Sequence, residues 1–132
     1  MQGDVNQLRR AHDLAQIEFP AALQQIALAR ALDLSSRGVL DHAVGPGGEA
    51  AVLPLLESEG YTGRLAEHLL VVTDPAPGLA ATAMRAWFSD PAHRADLLDA
   101  GYRAAGIGIA QSREGWVVVQ IMVEGRPQEV AP

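Results

Sequence analysis

Trp116 to Glu124, WVVVQIMVE, constrains this chain more than any other stretch. Read at the two-residue period of a β-strand it is apolar on both faces, with Gln120 the single interruption. A strand of that kind has no side to give to water, so it belongs inside a sheet covered above and below, and helices are expected on both faces. A second strand lies just upstream at Ala104 to Gln111. The connection Ser112-Arg113-Glu114-Gly115 has hairpin length, with a glycine where positive φ suits it. Glu67 to Val72, with Glu67 at its start, supplies a third short apolar strand.

The covering helices are marked as clearly. Asp4 is placed to cap a first short helix with Val5, Leu8 and, in line with them, His12 on one face; Pro20 prevents its continuation. From Ala21 to Arg37, Leu23, Ile26, Ala27, Ala31 and Leu34 recur at three- and four-residue spacing, and Gly38 provides a left-handed stop. VLDHAVGPGG is then a loop, with His42 near its start. A third helix is expected over Glu49 to Ser58 with a kink at Pro54, and a fourth over Gly78 to Phe88 with Trp87 in the core. A fifth runs from Pro91 to Leu98, opened by Asp90 as N-cap and Pro91 at the first helical position. The tail from Gly125 to Pro132 reads as frayed, and no internal repeat or second domain is visible.

Composition narrows the partners. The 132 residues suit one domain able to bury roughly two-thirds of its unfolded surface. With no cysteine, disulfides, thiol catalysis and Cys-ligated zinc are excluded. A formal net charge of −6 and scattered arginines argue against nucleic acid and against an anionic membrane surface. No apolar run reaches membrane-helix length, and MQGDVNQLRR is too polar for a signal peptide, which leaves a cytoplasmic protein or a mature domain trimmed from a longer precursor. The motifs of phosphate loops, zinc proteases, nucleophile elbows and dinucleotide folds are absent or incomplete.

Four polar residues stand out once the elements are placed: His42 in the Gly-rich loop, Glu67 at a strand start, and Asp90 with His93 at a helix start. Near the positive end of that helix a second positive charge is disfavoured, so His93 is expected as the neutral imidazole that binds metals or accepts protons. Two imidazoles and one or two carboxylates can coordinate zinc or a similar divalent ion and leave a position for water. Taken singly, Asp90 is sufficiently explained as a helix cap and His42 and Glu67 as solvated polar groups, while His93 reads equally as a surface residue of the capping region or as a site residue. His12 and His68 are assigned no role.

The order of these pieces resembles the CAP superfamily of cysteine-rich secretory proteins, antigen 5 and pathogenesis-related proteins, also called the SCP domain, in its cysteine-free bacterial form. The resemblance runs over about residues 5 to 124: VNQLRRAH, GVLDH before a Gly-rich loop, AEHLLVV, the W-x-x-D-P-A-H-R block, GIGIA and WVVVQIMV. It implies an α+β fold, a three-layer α-β-α sandwich around a mostly antiparallel sheet, filling residues 1 to 132 as a single domain. It also implies a cleft of two histidines and two acidic residues, carried here by His42, Glu67, Asp90 and His93, holding a divalent metal, with zinc the leading choice. Small molecules or lipids are further ligands that the resemblance implies, together with an extracytoplasmic location. The sequence departs from the family pattern where Glu-Asn is usual at the strand start and Glu67-His68 stands instead, and where the second acidic residue is the shorter Asp90. The functional expectations are a ligand-binding module, a metal-assisted hydrolase with Glu67 as general base, or a structural or interaction domain with a vestigial cleft.

Overall fold

In the computed structural model, which describes residues 2–37, 52–61, 63–73, 78–113 and 115–125, five helices and three strands follow one another along the chain. They are α1 (Gln2–Ala11), α2 (Ala21–Arg37), α3 (Leu53–Ser58), β1 (Leu65–Val72), α4 (Leu79–Ser89), α5 (Pro91–Leu97), β2 (Ala104–Ser112) and β3 (Gly115–Val123). The strand that is apolar on both faces does lie in the middle: the sheet order is β1-β3-β2, antiparallel throughout. Odd-numbered residues of β3, Val117 to Val123, pack with α2 and α3; Val118 and Met122 face the opposite way, into the layer of α1, α4 and α5. The result is a three-layer α-β-α sandwich.

Small residues decide how closely the layers meet. A Cβ at Gly106 would collide with the Leu23 carbonyl, and one at Gly108 with the backbone of Ala27, so α2 rests directly on the β2 backbone. Gly115 at the hairpin has φ of 143°, the positive value the turn sequence called for. On the other face a buried arginine ties the layer together. Arg9, 1% exposed, donates to the carbonyls of Ala15 (2.8 Å), Leu97 (2.9 Å), Asp99 (3.0 Å) and Tyr102 (3.3 Å), fastening the end of α1 to the segment that leads from α5 into β2. Burial lowers its pKa, but a guanidinium surrounded by carbonyl oxygens stays charged.

Element boundaries differ from the sequence expectation by more than one residue at three places. α1 begins at Gln2, so Asp4 lies within it and is not its cap, and His12 is exposed beyond its end. α3 begins at Leu53, with Pro54 in the first turn, where a missing N–H removes no helical hydrogen bond; no kink is involved. β1 starts at Leu65, which makes Glu67 its third residue. His42, the rest of the Gly-rich loop and residues 126–132 lie outside the described residues.

Candidate functional site

Asp90 and His93 are brought together by α5. Pro91 opens the helix, and Asp90 occupies the N-cap position with extended backbone, φ −92° and ψ 120°, but its side chain makes no cap hydrogen bond. Its carboxylate turns to the imidazole one turn on, with Oδ2 2.8 Å from His93 Nδ1. The expectation that Asp90 serves as the helix cap is therefore corrected: three-residue spacing along a helix sets the two side chains side by side, and an imidazole N–H is the stronger claimant. In the neutral ring, the proton held toward Asp90 on Nδ1 leaves the lone pair on Nε2. Both side chains are partly exposed, 48% for Asp90 and 25% for His93, so this lone pair is within reach of solvent or a ligand.

Beneath His93 lies a residue that sequence reasoning passed over. His68 is fully buried, its ring centroid 4.7 Å from that of His93 and 5.6 Å from that of Trp87. Strand alternation explains its direction, since His68 pairs with Gln120 and both face the α4–α5 layer. Its Nδ1 is 2.9 Å from Oε1 of the Gln120 amide, and its Nε2 is 3.3 Å from Oδ2 of Asp96. Burial pushes the His68 pKa down and the neighbouring His93 adds to this, while the hydrogen bond to Asp96 opposes it; the neutral ring results. A neutral ring has one proton. Asp96 can only accept, so the proton belongs on Nε2 and Nδ1 needs a donor. The Gln120 amide nitrogen, which has no other partner among the described residues, is that donor once the amide is turned to present it.

Glu67 lies elsewhere. Alternation turns it to the opposite face of the sheet from His68, against α2, where Arg30 meets it through two hydrogen bonds, Nε to Oε2 at 2.9 Å and Nη2 to Oε1 at 3.3 Å. The side chains are 2% and 0% exposed. Arg30 falls on the same stripe of α2 as Ile26, Ala27 and Leu34, so an arginine at core spacing was the available sign that a buried carboxylate would face it. Of the four residues expected to share a cleft, the structure joins Asp90 and His93, sets Glu67 beyond the sheet with Arg30, and does not describe His42. Among the described residues no group of three or more His, Asp or Glu side chains is arranged to hold a metal ion. Those residues alone do not make a metal centre. Along the stripe of α5 that carries Pro91, Arg94, Ala95 and Leu98 runs a separate open, largely apolar hollow of about 550 Å³, with Arg94 stacked 4.7 Å over the Phe88 ring.

Solved structures with this fold include bacterial proteins. An outer surface protein of Borrelia burgdorferi superposes with a TM-score of 0.77 at 15% identity, covering 95% of this chain and 89% of its own. An extracellular protein containing an SCP domain from Bacillus anthracis gives 0.72 at 18% identity, and a cysteine-rich secretory protein from Staphylococcus aureus gives 0.70 at 20%. They cover 92% and 94% of this chain, respectively, but the match takes in only 38% and 36% of their own lengths. No curated protein matches the sequence. The model of the cysteine-rich secretory protein family matches residues 2–122. A sandwich of this layering, a W-x-x-D-P-A-H-R block at the start of α5 and a family match over nearly the whole chain lead to one conclusion: the chain belongs to the cysteine-rich secretory protein family, CAP.

Proposed function

We propose that this CAP domain is an extracytoplasmic binding module whose ligand contacts the outward nitrogen of His93. The Asp90 carboxylate 2.8 Å from Nδ1 carries the reading, because a carboxylate behind an imidazole orients the ring and raises the donor strength of the opposite nitrogen. The buried His68 ring gives that imidazole a rigid floor. The extracytoplasmic setting draws support from the neighbours' descriptions, an outer surface protein and an extracellular protein. The ligand is a small polar molecule or a divalent cation; for zinc, whose preferences include imidazole, His42 is the second ligand and Glu67 takes no part while Arg30 holds both its oxygens. The same engagement of Glu67, on the far side of the sheet from His93, weighs against a hydrolase that uses Glu67 as general base.

Calorimetric titration of zinc into metal-free protein tests the proposal, with His93→Ala and Asp90→Asn alongside. One-site binding is expected in the parent, abolished in His93→Ala and weakened about 10- to 100-fold in Asp90→Asn, the usual effect of removing a carboxylate behind a ligating imidazole. Zinc binding indifferent to both substitutions overturns it. If zinc gives no heat, a thermal-shift screen of polar small molecules decides: stabilisation that requires His93 assigns the site to an organic ligand, and none leaves CAP structural roles as the better account.

A further inference from the structure

We propose that the ligand of the His93 site is a linear aliphatic polyamine and that Asp96 is a further residue binding it, a proposal that rests on the reading of His93 as the ligand contact. Asp90, His93 and Asp96 follow one another at three-residue steps, from the N-cap of α5 into its second turn. Each step advances about 4.5 Å along the helix axis, so the three side chains form an oblique row over about 9 Å. Pro91, Arg94, Ala95 and Leu98 occupy another stripe of α5 and line the separate hollow.

Asp96 is aimed from inside the fold. Its Oδ2 lies 3.3 Å from Nε2 of His68, which is fully buried and is itself held through Nδ1 by Gln120, also fully buried. The Asp96 side chain remains 34% exposed. A buried imidazole thus fixes one oxygen of a surface carboxylate, while the other, Oδ1, has no partner among the described residues. Asp90 repeats the arrangement at the other end of the row: Oδ2 lies beside His93, and Oδ1 has no partner among those residues. Neither carboxylate meets an arginine there, because Arg94 lies over the Phe88 ring and Arg64 is engaged by Asp99 and Glu124.

The chemistry of the ligand follows from these atoms. Asp90 Oδ1, His93 Nε2 and Asp96 Oδ1 are all acceptors, and two of them carry negative charge. Their complement is a positively charged donor, and an ammonium group donates hydrogen bonds and accepts none. A metal ion needs its ligands gathered round one point, and no three His, Asp or Glu side chains among the described residues are gathered in that way. Acceptors strung along a helix suit instead a flexible chain carrying one nitrogen for each of them, at about the rise between those residues. In a linear triamine the terminal ammonium groups pair with Asp90 and Asp96, and the central one donates to His93 Nε2. The net charge of −6 draws such a cation toward the protein.

Calorimetric titration of dipropylenetriamine into the protein near neutral pH, with propylamine as the control and Asp96→Asn and His93→Ala alongside, provides the test. One-site binding of the triamine is expected, with propylamine weaker by about tenfold or more because a single ammonium engages one acceptor in place of three. Asp96→Asn keeps the shape of the side chain and removes its charge, and is expected to weaken the triamine about fivefold. Added salt weakens binding to the parent as well. A parent that takes up no triamine, or that binds it no better than Asp96→Asn does, overturns the proposal and leaves the reading of His93 to the zinc and small-molecule titrations. Triamine binding that His93→Ala retains in full overturns the proposal and counts against that reading too. Circular dichroism confirms that each variant is folded.

Discussion

His68 shows how one side chain couples the polar site to stability. Its pKa in the fold lies below the 6.5 of an unperturbed histidine because burial penalises the charged ring. Between these two values the unfolded chain binds more protons than the folded one, so the contribution of His68 to stability is complete above about 6.5 and falls as the pH drops toward the folded pKa. Thermal unfolding followed from neutral to mildly acidic pH is expected to show a falling Tm in the parent and a flatter profile in His68→Asn. Identical slopes would mean that His68 does not titrate differently in the two states. On the other face, Arg30 and Glu67 are buried as a hydrogen-bonded ion pair. Glu67→Leu takes from a buried guanidinium the carboxylate it meets, and Arg30→Met takes from a buried carboxylate its guanidinium, each expected to cost about 3–5 kcal/mol, whereas the double substitution Arg30→Met, Glu67→Leu returns most of that loss. Denaturant unfolding of the three variants measures this as a coupling energy.

Between elements, the contact of α2 with β2 depends on side chains that are missing. Gly106 and Gly108 leave room for the helix backbone, and an alanine methyl at Gly108 would overlap Ala27. Gly108→Ala is therefore expected to destabilise by about 1–3 kcal/mol, the usual cost of overpacking, despite alanine's lower unfolded-state entropy. Equilibrium urea unfolding checks it, and an unchanged midpoint would show that α2 can shift outward freely. Much of this layering is legible in the sequence. Both faces of β3 are apolar, the α2 stripe is regular, and the hairpin glycine stands where the turn needs it. The expected four-residue cleft was less legible, because periodicity tells which side of a strand a residue faces and not which helix covers that side. Glu67 and His68 are adjacent and so must diverge, a parity that separates Glu67 from any partner of His68. That His68 meets α5 depends on long-range packing through Trp87 and Arg9, which no local pattern encodes. Asp90 carried a sufficient local reading as a cap, and only the fold shows its carboxylate turned to His93.

For the molecule as a whole, β3 belongs to both cores. Val117, Val119, Ile121 and Val123 anchor the side under α2, and Val118 and Met122 the side under α4 and α5, so neither layer can lose its packing while the central strand keeps its place. The two tryptophans give this a direct test, because both report on one side only: Trp87 is 1% exposed in the α4–α5 core and Trp116 packs against that same cluster. Leu34 is fully buried in the other core, on α2. Leu34→Ala is expected to cost about 2–5 kcal/mol through lost transfer energy and the cavity left behind. If the sheet transmits that loss, tryptophan fluorescence, which sees nothing of Leu34, shifts its urea midpoint by the same amount as far-UV circular dichroism, which reports every helix. A circular dichroism transition that moves while the tryptophan midpoint stays in place would mean that α2 detaches on its own. In that case the sheet face under α2, and the Arg30–Glu67 pair within it, would open to water while the His93 site remained folded.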